Sequence, residues 1–508
     1  MNVWDLKLKE RRESFKPKIN SSQMKQKRLE LTISLSKKKK EKDLMKRRKV
    51  KNFNEMEAEP FSRLYFEMNQ GIEGKKKNDL MILSEQIKIL QKENIKTHIT
   101  QIRKLLSSPF PPINEVIELN LIPIFLSILK ENFDEQIKLE VIWCLINISS
   151  GTSEQTNSII KENGIEVLFE FISNHSGESR EQCFWIIGNI VADSINLRDL
   201  ILQKGITQIV IQMIEESNGL VNDIQTASWM LSNLLRGNPI PNLNFFKPYF
   251  LYFESLLYFN DKKTLFYTCS CILIISSEKD QINLLFEENI PSQIIRLLKE
   301  SPNEIIYQCL QIIDNLLKGN QTQIDSLFES DLLKNLNQLL FHSDQDIKKK
   351  TCLTISTLAN QNQQNIQKLF ENDIVSSILK MLENETFELQ KETLSIFYGI
   401  INQSNQQQSQ LFITDSFIGL LIKLISVDDT ESIYSILEIF RKLLEISEKI
   451  AFENGISNTC VDFLEEVGGI EIIEKLQNHM NYYVSQIAKQ IINNYSSNYE
   501  EMNLENSN

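Results

Sequence analysis

Glycine and proline are scarce, at 15 and 11 of 508 residues. So few turn formers and helix breakers suit an all-helical chain and argue against a turn-dense one. Cysteine is sparse too. Cys144, Cys183, Cys269, Cys271, Cys309, Cys352 and Cys460 are scattered through apolar stretches with no CxxC pair. That spacing excludes a disulfide framework and a zinc site, and reads as reduced core thiols in a reducing compartment. The four histidines, His98, His175, His342 and His479, lie far apart and in no recognised catalytic or metal motif. There is no glycine-rich phosphate loop, because Gly151-Thr152-Ser153 joins helix to helix rather than strand to helix. No enzyme activity, metal or cofactor is expected. No apolar run approaches the ~20 residues of a membrane span. The N-terminus is polar and basic, without the apolar core of a secretory leader.

At 508 residues the chain exceeds one ordinary globular core. Stacked repeats escape that limit, since each packs only on its neighbours. The net charge of −12 conceals a division. Residues 1–51 hold 19 Lys/Arg and 6 Asp/Glu, a net of +13, and the remainder carries −25. A basic arm is joined to an acidic body, and the two attract each other.

The body carries one pattern three times. Trp143 precedes Asn147, Trp185 precedes Asn189 and Trp229 precedes Asn233. The i, i+4 spacing puts each pair on one helix face. The tryptophans lie 42 and 44 residues apart, the interval of a HEAT or armadillo unit. A turn signal followed by Ile or Leu recurs with the same period. It falls at Asn120-Leu121-Ile122, Asn163-Gly164-Ile165, Lys204-Gly205-Ile206, Glu288-Asn289-Ile290, Ser330-Asp331-Leu332, Asn372-Asp373-Ile374 and, with Ser in the third place, Thr414-Asp415-Ser416. One boundary is disguised near Pro241 to Pro248, and Gly468-Gly469-Ile470 opens an atypical last unit. The expected fold is all-α: a right-handed armadillo-repeat superhelix, an α-solenoid of about ten repeats over 78–495, with a flexible basic N-terminal arm. A linker covers 52–77, and 496–508 is read as a disordered polar tail.

Stacking turns three Trp/Asn pairs into a ladder of π-faces beside amides. Such a surface suits an extended cationic peptide, with lysine stems between indoles and amides on the peptide backbone. Buried core tryptophans beside incidental asparagines are the bland alternative. The arm, by itself, supports two readings. One is a polybasic tail that binds nucleic acid non-specifically. The other is a helix that forms on an acidic partner, with Lys46, Arg47, Arg48 and Lys49 left as a separate basic peptide.

The chain resembles the importin α family. Arg103-Lys104-Leu105-Leu106 through Pro111-Pro112-Ile113 and Leu121-Ile122-Pro123 is similar to that family's first armadillo repeat. Gly151 to Thr156, following Trp143 and Asn147, resembles its second. Gly188 to Ser194 with Arg198-Asp199-Leu200 resembles its third, and Trp229 to Asn233 with Arg236-Gly237-Asn238-Pro239 its fourth. The arm, from Lys25, Lys27 and Arg28 through Lys37, Lys39 and Lys40 to Lys46-Arg47-Arg48-Lys49, resembles its importin-β-binding domain.

The resemblance implies a nuclear import adaptor that shuttles between cytoplasm and nucleus. Trp143, Trp185 and Trp229 would form lysine slots, and Asn147, Asn189 and Asn233 would hold the cargo backbone. Gly151, Thr156 and Asp193 would receive the most deeply bound lysine, with Gln182 a secondary contact. Implied partners are importin β, cargo with Lys/Arg-rich signals, a recycling exportin acting with Ran and, indirectly, the nuclear pore complex. Direct nucleic-acid and membrane binding are not expected. The later repeats depart from the family. Counted from the fourth, the fifth has Gln311 and Asn315 at the Trp and Asn positions, the sixth Leu353 and Thr357, the seventh Ser395 and Gly399, and the eighth Ile439 at the Asn position. The family's second, minor peptide site is therefore expected to be weak or absent. An armadillo scaffold that grips other extended partners is the alternative reading.

Overall fold

A computed structural model describes residues 78–87, 94–108, 111–425 and 429–505, without side-chain detail for residue 300 and for 495–505. The expected arm and linker lie outside the described residues. So do Lys25, Lys27, Arg28, Lys37, Lys39, Lys40, Lys46, Arg47, Arg48 and Lys49.

The described chain is helical, with no strand. It divides into two compact units, Met1–Ile274 and Ile275–Asn508. Most repeats contain a short first helix, a second helix and a longer third helix. The third repeat shows the plan as Ser153–Lys161 and Gly164–Asn174, and its third helix is Gly177–Asp193. In the first unit the third helices Ile95–Leu106, Glu135–Ser149, Gly177–Asp193 and Val221–Leu235 pack on one another in sequence. Lys262–Ser276 follows and straddles the boundary. In the second unit Asn303–Leu316, Gln345–Ala359, Phe387–Gln403, Thr430–Asn454 and Tyr482–Glu505 pack in the same way. These are the third helices of an α-solenoid.

The turn signals are the positions where backbone geometry selects residue type. Between first and second helix one residue adopts the left-handed conformation: Asn120, Asn163, Asn289, Asp331 and Asp373, at φ of 58°, 56°, 54°, 65° and 58°, or Gly205 and Gly468. Left-handed backbone costs most residues about 1–2 kcal/mol, and Gly, Asn and Asp least. The critical residue of the second signal is thus Asn163 rather than Gly164, which restores an interval of 42 to Gly205. At the disguised boundary, Leu243–Tyr249 is a 3-10 helix containing Pro248, running directly into Phe250–Tyr258. Proline cannot take positive φ, so the corner is built differently there. Asp415 also differs, as the first residue of the Asp415–Ile425 helix.

Third helices are apolar nearly all round because neighbours cover them on both sides. In Glu135–Ser149, Val141, Ile142, Cys144, Leu145, Ile146 and Ile148 are buried. Each such aliphatic side chain contributes about 1.5–3 kcal/mol. All seven cysteines are buried and unpaired. Burial pushes the Cys352 and Cys460 thiols up to about 12. First helices are tied between repeats by glutamines. Gln155, Gln323 and Gln408 each complete a capping box with Thr152, Asn320 or Asn405. Each also donates from its amide to the preceding repeat, at Asn114 (2.8 Å), Asn283 (2.8 Å) and Gln367 (2.7 Å). The final helix continues to Glu505, into the stretch expected to be a disordered tail. Extending a helix already anchored by buried Ile491 and Ile492 requires no new nucleation.

Candidate peptide-binding site

The three Trp/Asn pairs occupy equivalent positions on consecutive third helices, and each asparagine is tied to the helix before it. Asn147 Nδ2 donates to Ser107 Oγ at 3.3 Å and to the Trp143 carbonyl at 2.9 Å. Asn189 Nδ2 donates to Ser149 Oγ at 3.1 Å, and Asn233 Nδ2 to the Gly188 carbonyl at 3.4 Å. The amides are therefore oriented before any ligand arrives. Ser107 and Ser149 escaped the sequence reading. Their signal is a serine 40 residues before Asn147 and before Asn189, at the end of the preceding third helix.

The indoles are not equivalent. Trp143 and Trp185 are half-buried, whereas Trp229 is only 6% exposed. Trp185 and Trp229 stack, with ring centroids 4.4 Å apart and planes 26° apart. Lysine stems were expected between the indoles; in this structure the two rings stack on each other at this step. Gly188 explains why: a Cβ there would lie 2.3 Å from Trp229 Cζ3. The bare backbone lets the indole lie down on the neighbouring helix.

Asp193 ends the Gly177–Asp193 helix and reaches back to the preceding repeat, where its Oδ1 accepts from Ser153 Oγ at 3.0 Å. This brings it to the Gly151–Thr156 turn. Thr156 itself is 1% exposed, and its hydroxyl donates to the Ser149 carbonyl at 3.2 Å. Gln182 is likewise buried, and its Oε1 has no hydrogen-bond partner. A cavity of about 380 Å³ opens beside Asp193, lined also by Asn196, Asn233 and Arg236. Beside the lining residue Gly237 lies Arg198, a fully buried side chain that nothing in the sequence singled out for this task. Arg198 Nη1 donates to the carbonyls of Arg236 (2.9 Å) and Pro239 (3.1 Å), and Nη2 pairs with Asp199 at 2.7 Å. It holds the turn that follows the Trp229 helix.

The second unit carries a different face. Lys262–Ser276 is the third helix of a fifth repeat, with Ser270 and Ile274 at the Trp and Asn positions. Gln311 and Asn315 thus belong to the sixth repeat, Leu353 and Thr357 to the seventh, Ser395 and Gly399 to the eighth and Ile439 to the ninth. The miscount arose because Pro248 removed the turn signal of the fifth repeat. Asn315 retains the backward bond, to Ser276 Oγ at 3.1 Å, but its Oδ1 accepts from Lys318 at 2.7 Å. Leu353 is 41% exposed, Thr357 bonds to the Leu353 carbonyl at 3.1 Å and Ser395 to Ser356 at 2.9 Å. Gly399 lies against Asn360, and Ile439 is buried.

Among the described residues, no helix is long and apolar enough to cross a membrane, and no group of three or more His, Cys, Asp or Glu could hold a metal ion.

Comparison with known proteins agrees with the repeat architecture. A family model described as the importin beta binding domain matches residues 11–102, and one described as an atypical Arm repeat matches 458–508. The chain is 31% identical over 223 residues to importin subunit alpha-1b of Oryza sativa subsp. japonica, covering 44% of this chain and 42% of that protein. It is 32% identical over 202 residues to importin subunit alpha-2 of Arabidopsis thaliana, covering 39% and 38%. The matches thus span less than half the length of these relatives. A crystal structure of an engineered protein superposes with a TM-score of 0.65 at 17% identity, over 82% of this chain and 98% of that one, and agrees in fold. The fold is that of an armadillo-repeat α-solenoid. Within that class, the chain is similar to importin α proteins over the matched segments.

Proposed function

We propose that this protein is a nuclear import adaptor, not an enzyme, that binds Lys/Arg-rich localisation signals of cargo on the third helices of its second to fourth repeats. The observation that supports this most is the row of pre-oriented amides on Asn147, Asn189 and Asn233, beside a carboxylate at Asp193. Amides at consecutive helices suit the backbone of an extended peptide, and a partly buried carboxylate discriminates for lysine. Gly151 and Thr156 shape the floor beside that lysine, and Trp143 and Trp185 offer π-faces to a lysine stem. Gln182, one turn before Trp185 on the same helix, is a secondary contact.

Residues 1–51 bind importin β. The Lys46–Lys49 segment imitates a basic signal and competes for the same face. Tethered at roughly millimolar effective concentration, with a dissociation constant of about 10 μM, it would leave the face open about 1% of the time. Importin β withdraws the segment and so couples its own binding positively to that of cargo. A recycling exportin acting with Ran returns the protein, and contact with the nuclear pore complex runs through importin β. The protein shuttles between cytoplasm and nucleus without a metal or cofactor. The test is titration of a fluorescent Lys-rich peptide with and without saturating importin β. Tightening of roughly 100-fold is expected. An affinity unmoved by importin β would remove the coupling.

A further inference from the structure

The described chain begins at an open cleft. Residues 78–87 are helical and, with the Ile95–Leu106 helix, border a space of about 540 Å³. Its lining combines apolar Ile82, Leu83 and Leu105 with polar Asp79, Gln101 and Lys104. The 78–87 helix buries Leu80 and Ile87 but leaves Ile82 50% exposed. A large aliphatic side chain left in water beside a cleft is a surface that another apolar group can cover. The sequence just before it supplies a matching occupant. In the stretch expected as a linker, which lies outside the described residues, Phe61, Leu64, Tyr65 and Met68 recur at i, i+3, i+4 and i+7. That is the spacing of one helix face. Pro60 precedes the run and Gly71 follows it, as at a helix start and stop. Arg63 and Glu67 supply one charge of each sign, the complement of Asp79 and Lys104 in the cleft. Nine residues separate Met68 from Asn78, the first of the helical residues. They reach up to roughly 30 Å, twice the ~15 Å length of the 78–87 helix.

We propose that residues 61–68 dock in this cleft of their own chain as a short amphipathic helix, and so anchor the basic arm beside the peptide-binding face. The Phe61, Leu64, Tyr65 and Met68 face covers Ile82, Leu83 and Leu105. Eight residues are too few for a stable isolated helix, so the order of this segment depends on the cleft. The consequence for the arm rests on the peptide-groove reading. The Ile95–Leu106 helix that lines the cleft packs on the Glu135–Ser149 helix, which carries Trp143 and Asn147. Docking shortens the free tether that follows Lys49 from 28 residues to 11. Eleven residues still span up to about 36 Å. Effective concentration falls as roughly the −3/2 power of tether length, so the anchor strengthens competition by Lys46–Lys49 about fourfold.

Hydrogen exchange of the full chain tests the docking without any ligand. Amides of residues 61–70 should exchange at least about tenfold more slowly than free-chain amides. That protection should vanish in Ile82→Glu, a change at an exposed site, and in the double substitution Leu64→Ser with Tyr65→Ser. Free-chain exchange in the wild type, or protection that survives both variants, overturns the proposal. Protection that fades on dilution assigns the segment to a second copy and overturns docking within one chain. The effect on the arm is read by titrating a Lys-rich peptide, which both variants should bind about fourfold more tightly than the wild type does. An unchanged affinity overturns the anchoring role. If Asp193→Lys binds the peptide as the wild type does, the groove reading has failed, while the exchange result still decides the docking.

Discussion

The Trp229 indole lies on the backbone of Gly188, 41 positions earlier in the chain, so closely that an added methyl would stand 2.3 Å from Cζ3 and 2.4 Å from Cη2. Helix-interior Gly→Ala ordinarily stabilises by about 1 kcal/mol. Here the sign should reverse. Gly188→Ala must displace a buried ring, at a cost of about 1–3 kcal/mol. Urea unfolding checks this, and a stabilised variant would show that the ring yields freely.

Arg198 should behave as a structural keystone. It is fully buried, and its guanidinium bonds two carbonyls of the 236–239 turn and the Asp199 carboxylate. Arg198→Met leaves those carbonyls and that carboxylate without their donor. Bonds to charged groups are worth about 1.5–3 kcal/mol each, so the loss should be at least that of one such bond. An unfolding midpoint equal to wild type would contradict it.

Acid should loosen the contact between the second and third helices of neighbouring repeats. Bonding to the buried Arg180 guanidinium, and then to Gln212, holds Glu216 below its ordinary value of 4.5. Because the folded pKa is the lower one, this contribution is fully present above 4.5 and is lost as pH falls through the folded value. Burial, opposed by Arg180, raises Asp223 and works in the other direction. Glu216→Gln should therefore lose less melting temperature than wild type between pH 5 and pH 3. Parallel curves would exclude Glu216 as a source of acid sensitivity.

The second unit should add little to peptide binding. Four carboxylates on or capping its third helices are already matched by its own lysines: Asp314 by Lys350, Glu392 by Lys349 at 3.3 Å, and Asp429 and Glu431 by Lys391 at 3.1 and 2.9 Å. Leu353, Thr357, Ser395 and Gly399 stand where indoles and amides would be needed. A bipartite peptide should bind less than about tenfold tighter than its monopartite core. A gain of roughly 100-fold or more would refute this.

Much of the fold was legible because the armadillo corner demands positive φ, and only Asn, Asp and Gly accept it cheaply. Asn163, Gly205, Asn289, Asp331 and Asp373 therefore print the period into the sequence. Where Pro248 replaces that corner, the period falls silent and a repeat is miscounted. The Trp/Asn pairs were legible from i, i+4 spacing. The indole stack was not, because it depends on a missing Cβ at Gly188 in another helix. The tethering of Asn147 and Asn189 was hidden similarly, since Ser107 and Ser149 lie 40 residues before them.

The most direct measurement is titration of one fluorescent Lys-rich peptide against three proteins: the full chain, a chain beginning at residue 72, and that shorter chain carrying Asp193→Lys. Removing residues 1–71 should tighten binding roughly 100-fold, and Asp193→Lys should abolish it. If the shorter chain binds no peptide, or binds it equally well with lysine at 193, the Trp/Asn face is not a lysine groove.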